Sequence, residues 1–189
     1  MRRAAVAILV LALLPIPLSA DADEPADLVA AVGAAVTREM ESNGIEGVGV
    51  AVIDEFEVVW SAGFGIAESG RPIEPTTLFQ AASLTKPVSA MVAAAAAEEG
   101  LVDLEADIFD MLVTWRHPPL QWDAPVTLRR LFAHRGGANV HGFPGYRQDE
   151  ILPTPAAILD GIVDKNEPIR ISAEPGTKRD YSGGGYVMA

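Results

Sequence analysis

The chain has 189 residues, no cysteine, and 26 acidic against 14 basic residues, for a formal charge of −12. That charge opposes nucleic acid and anionic lipid surfaces as partners. The absence of cysteine excludes a disulfide framework, so stability has to come from core packing.

Met1-Arg2-Arg3, an apolar stretch from Ala4 to Leu18 and Ala20-Asp21-Ala22 have the order of a secretory signal peptide: basic start, short apolar core, small-x-small site. Cleavage is expected after Ala22, with Ala20 as the close alternative. The run contains Pro15 and Pro17 and falls short of the roughly 20 residues of a membrane span, which disfavours a retained anchor. The expected organisation is a signal peptide over 1–22 and one domain over 23–189, exported to the periplasm or secreted, with no membrane span once the signal is removed.

Asp23-Glu24-Pro25 predicts a helix start, Leu28, Val32, Val36 and Met40 give it an apolar stripe, and Asn43-Gly44 ends it. Gly47 to Ile53 and Phe56 to Phe64 read as a β-hairpin turning at Asp54-Glu55. A loop with Gly65, Gly70, Pro72 and Pro75 leads to Leu78-Phe79-Gln80-Ala81.

The next segment carries the chemistry. In Ser83-Leu84-Thr85-Lys86-Pro87, the proline fits a helix only in its first turn, which sets the helix start near Ala82 or Ser83. Ser83 then lies at the positive end of the helix dipole, with Lys86 one turn away on the same face. A hydroxyl becomes a nucleophile when a base takes its proton, and a desolvated lysine amine can do that. The alternative reading of Ser83 is a plain helix cap. The helix that follows, through Ala97, is apolar almost all round, which predicts a buried central position.

Beyond Gly100, short helices are expected at Leu101–Leu112, at Thr127–Phe132 (ended by Gly136-Gly137) and at Thr154–Asp164, with a turn at Gly183-Gly184-Gly185. Tyr186-Val187-Met188-Ala189 opens an apolar run, and a lone hairpin is marginal in water. The sequence therefore reads as the N-terminal portion of something longer.

Other signals are weaker. His117, His134 and His141 would serve a Ser-His-Asp hydrolase, but no serine lies in G-x-S-x-G: Val59 precedes Ser61 and Asp180 precedes Ser182 at the first glycine position. His134 and His141 flank a glycine loop as a conceivable metal pair without H-E-x-x-H or a third ligand. Trp60, Trp115 and Trp122 read as core or rim packing.

These segments in this order resemble the serine β-lactamase and penicillin-binding-protein superfamily, in its class C-like branch of esterases and D-amino-acid peptidases. The resemblance rests on Thr77 to Pro87, Leu101-Val102-Asp103-Leu104 with Asp107, Thr127 to His134, and Glu174 to Ser182. It implies an α/β (α+β) fold, with an antiparallel sheet, flanking helices and a helical subdomain, whose C-terminal strands are missing from this sequence. It also implies an acyl-enzyme at Ser83, with Lys86 as proton acceptor or as the group that lowers the pKa of a phenol, and Tyr181 as that phenol. The implied substrate is an ester, amide or lactam, small or peptidic, with no cofactor and no metal. Free lysine and tyrosine titrate at about 10.4 and about 10, so each needs the other to work near neutrality.

Two departures from the family are evident. The family's Tyr-x-Asn triplet is here Tyr181-Ser182-Gly183, and its final K-T-G or H-x-G strand does not follow Tyr181. They motivate an alternative, a ligand-binding or inactive relative of the same fold.

Overall fold

The computed structural model describes residues 25–67, 70–147, 149–162 and 165–189. The expected signal peptide and its cleavage site lie outside them. Among the described residues no helix is long and apolar enough to cross a membrane. The architecture is α+β and divides into two compact units, one up to Gln80 and one from Ala81.

In the first unit, helix α1 (Pro25–Asn43) is followed by strands β1 (Gly47–Asp54) and β2 (Glu57–Gly65), paired antiparallel. Gly44 adopts a left-handed φ of 64°, and the Ile45 N–H returns to the Met40 carbonyl at 3.0 Å, the closing bond of a Schellman cap. The hairpin forms as expected, but its turn is Glu55-Phe56 rather than Asp54-Glu55. Both turn residues have positive φ (44° and 69°), the conformation that matches the twist of paired strands. Phe56 accordingly leaves the sheet for solvent. Val59 is an extra residue opposite the Val52/Ile53 register shift, a bulge that resets the facing of β2. Ile73, 7% exposed, lies over the hairpin, where Gly63 leaves it room: a Cβ at 63 would stand 2.1 Å from the Ile73 carbonyl oxygen.

The second unit starts with a 3₁₀ turn, Ala82–Leu84, running into α2 (Thr85–Glu98). Pro87 lies in the first turn of α2, as its missing N–H requires. The expected burial of α2 does not hold. Val88, Met91 and Val92 are exposed, and an open groove of about 430 Å³ separates one flank of α2 from Val102, Leu128 and Phe132. An all-round apolar pattern records what a helix can bury, and the second unit covers only part of it.

Leu101–Leu112 is mostly loop. Gly100 ends α2 at φ 74°, the Asp103 carboxylate accepts from the Glu105 N–H, and Asp107 caps a single helical turn, α3 (Ile108–Met111). Two aspartates bonding the local backbone compete with the helix. Helix α4 (Leu128–Phe132) lies where expected, with Thr127 as its cap rather than its first residue, and the chain turns at His134, with φ 58°, ahead of the glycine pair. Helix α5 (Pro155–Leu159) is capped by Thr154 and stops before Gly161 (φ 63°), shorter than expected; Val163 and Asp164 lie outside the described residues.

The expected turn at Gly183–Gly185 is the first turn of a helix, α6 (Gly183–Met188). The Ser182 hydroxyl accepts from the Gly185 N–H and donates to the Val140 carbonyl at 2.8 Å. Glycine is needed there for packing: a Cβ at Gly184 would meet Ile169 at 2.9 Å and Val140 at 3.1 Å. Ile108, Val126, Leu131, Ile169 and Met188 form the centre of the core, so α3, α4 and α6 share one apolar interior.

His117 stacks on Phe109 (centroids 4.9 Å), accepts from the Ile171 N–H through Nε2 at 3.0 Å, and bonds the Pro118 carbonyl through Nδ1. Burial holds its pKa below the ordinary 6.5. A histidine whose folded pKa is depressed contributes stability above its unfolded pKa, and that contribution is lost as pH falls through the folded value. Urea unfolding midpoints are therefore expected to fall as pH drops below 6.5, and His117→Gln should flatten that dependence.

Candidate active site

The site is built where the 3₁₀ turn, which holds Ser83, runs into α2, which holds Lys86. The residue before Ser83, Ala82, is held at φ 45°, a left-handed conformation that costs a non-glycine residue about 1–2 kcal/mol. Ser83 caps neither the 3₁₀ turn nor α2, which have Ala81 and Leu84 as N-caps with no side-chain bond. Its Oγ accepts instead from Lys86 Nζ at 3.1 Å and from the Tyr181 hydroxyl at 2.8 Å. The helical spacing brings Lys86 to Ser83, whereas Tyr181 arrives across 98 residues of chain. All three side chains singled out in the sequence converge on one oxygen.

Lys86 Nζ lies 5.1 Å from the Tyr181 ring centroid and 5.4 Å from that of Tyr186. The Tyr181 pKa is lowered, first by hydrogen bonding to the Lys86 ammonium and then by the Ser83 hydroxyl, against a smaller opposing effect of burial. Tyr186 is pushed the other way, by burial and by its neighbour Tyr181, and its hydroxyl donates to the Phe132 carbonyl at 3.1 Å. The two phenols are thus differentiated: one is prepared to lose its proton and the other to keep it.

Three residues that the sequence reading gave no part in this site belong to it. Tyr186, on α6, walls in Lys86. His134 and His141, weighed in sequence as a metal pair, lie against the Tyr181 ring with centroids at 4.3 and 5.0 Å. Their only sequence signal is position, one at the end of α4 and one beyond the glycine loop. Gly183, where the family carries asparagine, is buried, and a Cβ there would stand 3.1 Å from the His141 carbonyl oxygen. Among the described residues, no group of three or more His, Asp or Glu side chains is placed to hold a metal ion.

A family model described as beta-lactamase matches residues 32–189. Among solved structures, a penicillin-binding protein homologue from Pyrococcus abyssi is similar at 25% identity and TM-score 0.65, over 85% of this chain and 37% of that one. A D-amino acid amidase from Ochrobactrum anthropi SV3 is similar at 26% identity and TM-score 0.59, over 79% of this chain and 40% of that one. A β-lactamase/D-alanine carboxypeptidase from Yersinia pestis shares the fold at 22% identity and TM-score 0.63, over 87% of this chain and 48% of that one. The chain thus spans between 37% and 48% of the length of these structures.

Proposed function

Because the chain belongs to the β-lactamase family, we propose that it carries the nucleophile, lysine and tyrosine of a serine hydrolase acting on an ester, amide or lactam carbonyl through an acyl-enzyme. One observation carries this reading: Lys86 and Tyr181 both reach Ser83 Oγ, at 3.1 and 2.8 Å.

In the proposed cycle Tyr181 is the base and Lys86 the cation that keeps it available as phenolate. The Ser83 proton passes to the phenolate oxygen as Oγ bonds to the carbonyl carbon. The resulting oxyanion forms beside the start of the helix, whose N-terminal dipole favours negative charge. Collapse breaks the bond to the leaving group, which takes the proton from Tyr181. Water then attacks the acyl-Ser83 carbonyl, giving its proton to Tyr181, and release of the acid restores the hydroxyl. Tyr181 serves both directions because its lowered pKa lets it take the Ser83 proton as phenolate and return a proton as phenol. Export, with residues 1–22 as the signal, is part of the same proposal.

The test is covalent. On incubation with a fluorophosphonate or a penicillin-type probe, peptide mass spectrometry is expected to locate the adduct on Ser83. Labelling elsewhere, or none, overturns the reading.

A further inference from the structure

Four consecutive residues around the proposed base are held by two histidines. The Asp180 N–H donates to the His134 carbonyl at 2.8 Å, and the Ser182 N–H donates to His134 Nδ1 at 3.2 Å. His141 Nδ1 bonds the Tyr181 carbonyl at 3.1 Å, and the Gly183 N–H donates to the His141 carbonyl at 2.8 Å. Each histidine therefore uses ring and backbone together, and the phenol ring lies against both imidazoles.

We propose that His134 and His141 are positioning residues that clamp segment 180–183 and set the Tyr181 hydroxyl on Ser83, with the unprotonated Nδ1 of His134 as the essential acceptor. This inference rests on the acyl-transfer reading of Ser83 for its kinetic consequence, although not for its geometry.

Hydrogen-bond chemistry assigns the tautomers. An amide N–H can only donate, so His134 Nδ1 accepts and its proton is on Nε2. A carbonyl can only accept, so His141 Nδ1 carries its proton. The clamp thus needs opposite tautomers in two rings that face one phenol. A second proton on His134 would set N–H against the Ser182 N–H and release that end of the segment.

The surroundings favour the neutral form. His134 is 9% exposed. The groups facing it are Lys86 from α2, Arg179 and Tyr181 from its clamped neighbour, His141 from the following loop and Tyr186 from α6. The Asp180 carboxylate is engaged with Lys178 at 2.7 Å. Burial, then the cations of Arg179 and Lys86, hold the His134 pKa below 6.5.

The backbone shape of His134 suggests the variants. At φ 58°, asparagine is tolerated better than most residues, and its Oδ1 falls near the place of Nδ1 as an acceptor. Phenylalanine keeps a ring against Tyr181 and removes the acceptor. H134F is expected to slow Ser83 acylation by about tenfold to a hundredfold, the effect of a base displaced by a fraction of an ångström to an ångström. H134N should recover most of that loss. Below pH 6.5 the wild type should lose rate more steeply than H134N, because its acceptor takes a proton there and an amide oxygen does not.

The experiment combines the pH profile of Ser83 acylation in wild type, H134F and H134N with nitrogen NMR of the imidazoles in the wild-type chain. H134F at the wild-type rate, or H134N as slow as H134F, overturns the clamp, as does identical acid sensitivity of wild type and H134N. If the wild type forms no adduct, the acyl-transfer reading fails on its own. The clamp is then decided by NMR: Nε2–H on His134 with Nδ1–H on His141 at neutral pH supports it, and Nδ1–H on His134 refutes it.

Discussion

Replacing Tyr181 with phenylalanine is expected to slow acylation of Ser83 by about 10²–10⁴-fold, the usual worth of a positioned general base. The substitution removes one oxygen. It deletes the 2.8 Å hydrogen bond to Ser83 while leaving a ring to pack against His134 and His141, so the fold and the clamped backbone should persist. Single-turnover labelling with an activated ester separates the two possibilities for this residue. A wild-type rate in Tyr181→Phe would make Tyr181 a packing residue and leave Lys86 as the base.

Lys86→Met should be comparably severe, by about 10²–10³-fold, as for loss of a charge aimed at a reacting group. Methionine keeps the reach of the side chain and removes the ammonium. Ser83 Oγ loses its 3.1 Å donor, and Tyr181 loses the first cause of its lowered pKa. The sign of the pH effect follows. A lowered phenol pKa gives more phenolate near neutrality, so its return towards the ordinary value leaves less base at pH 7. The variant should regain rate as pH rises, about tenfold per unit until the phenol titrates. A Lys86→Met enzyme that is equally slow at all pH values would assign Lys86 a direct proton-transfer role. Because Ser83 is exposed, water screens these charges, and covering the site would raise both effects.

The part of the site that was legible in the sequence is the part encoded locally. Ser83 and Lys86 are one helical turn apart, and Pro87 marks where that turn begins, so spacing alone brings the pair together. Tyr181 has no such marker. Its approach across 98 residues depends on the second unit's core, and only the family resemblance pointed to it. His134 and His141 were visible as residues but not as a clamp, because their partners are backbone groups with no identity in sequence.

The same division holds for the fold. The starts of α4 and α5, at Thr127 and Thr154, were readable because the bond each threonine makes to the backbone spans only three residues. The Glu55-Phe56 turn was missed because both residues adopt positive φ without being glycine or asparagine. Helix α6 was missed because its glycines serve a packing surface supplied by Val140 and Ile169, residues far away in the chain. The exposed flank of α2 shows the limit of periodicity, which reports apolar faces and not the neighbours that cover them.

The proposed chemistry depends on the hydroxyl, the ammonium and the phenol acting as one electrostatic unit. Ultraviolet titration of Tyr181, read as the difference between each protein and its Tyr181→Phe counterpart, measures that unit without any substrate. The midpoint is expected below the ordinary 10.0 in the wild type and higher in Lys86→Met. A Tyr181 midpoint that is the same with and without the Lys86 ammonium would contradict that chemistry.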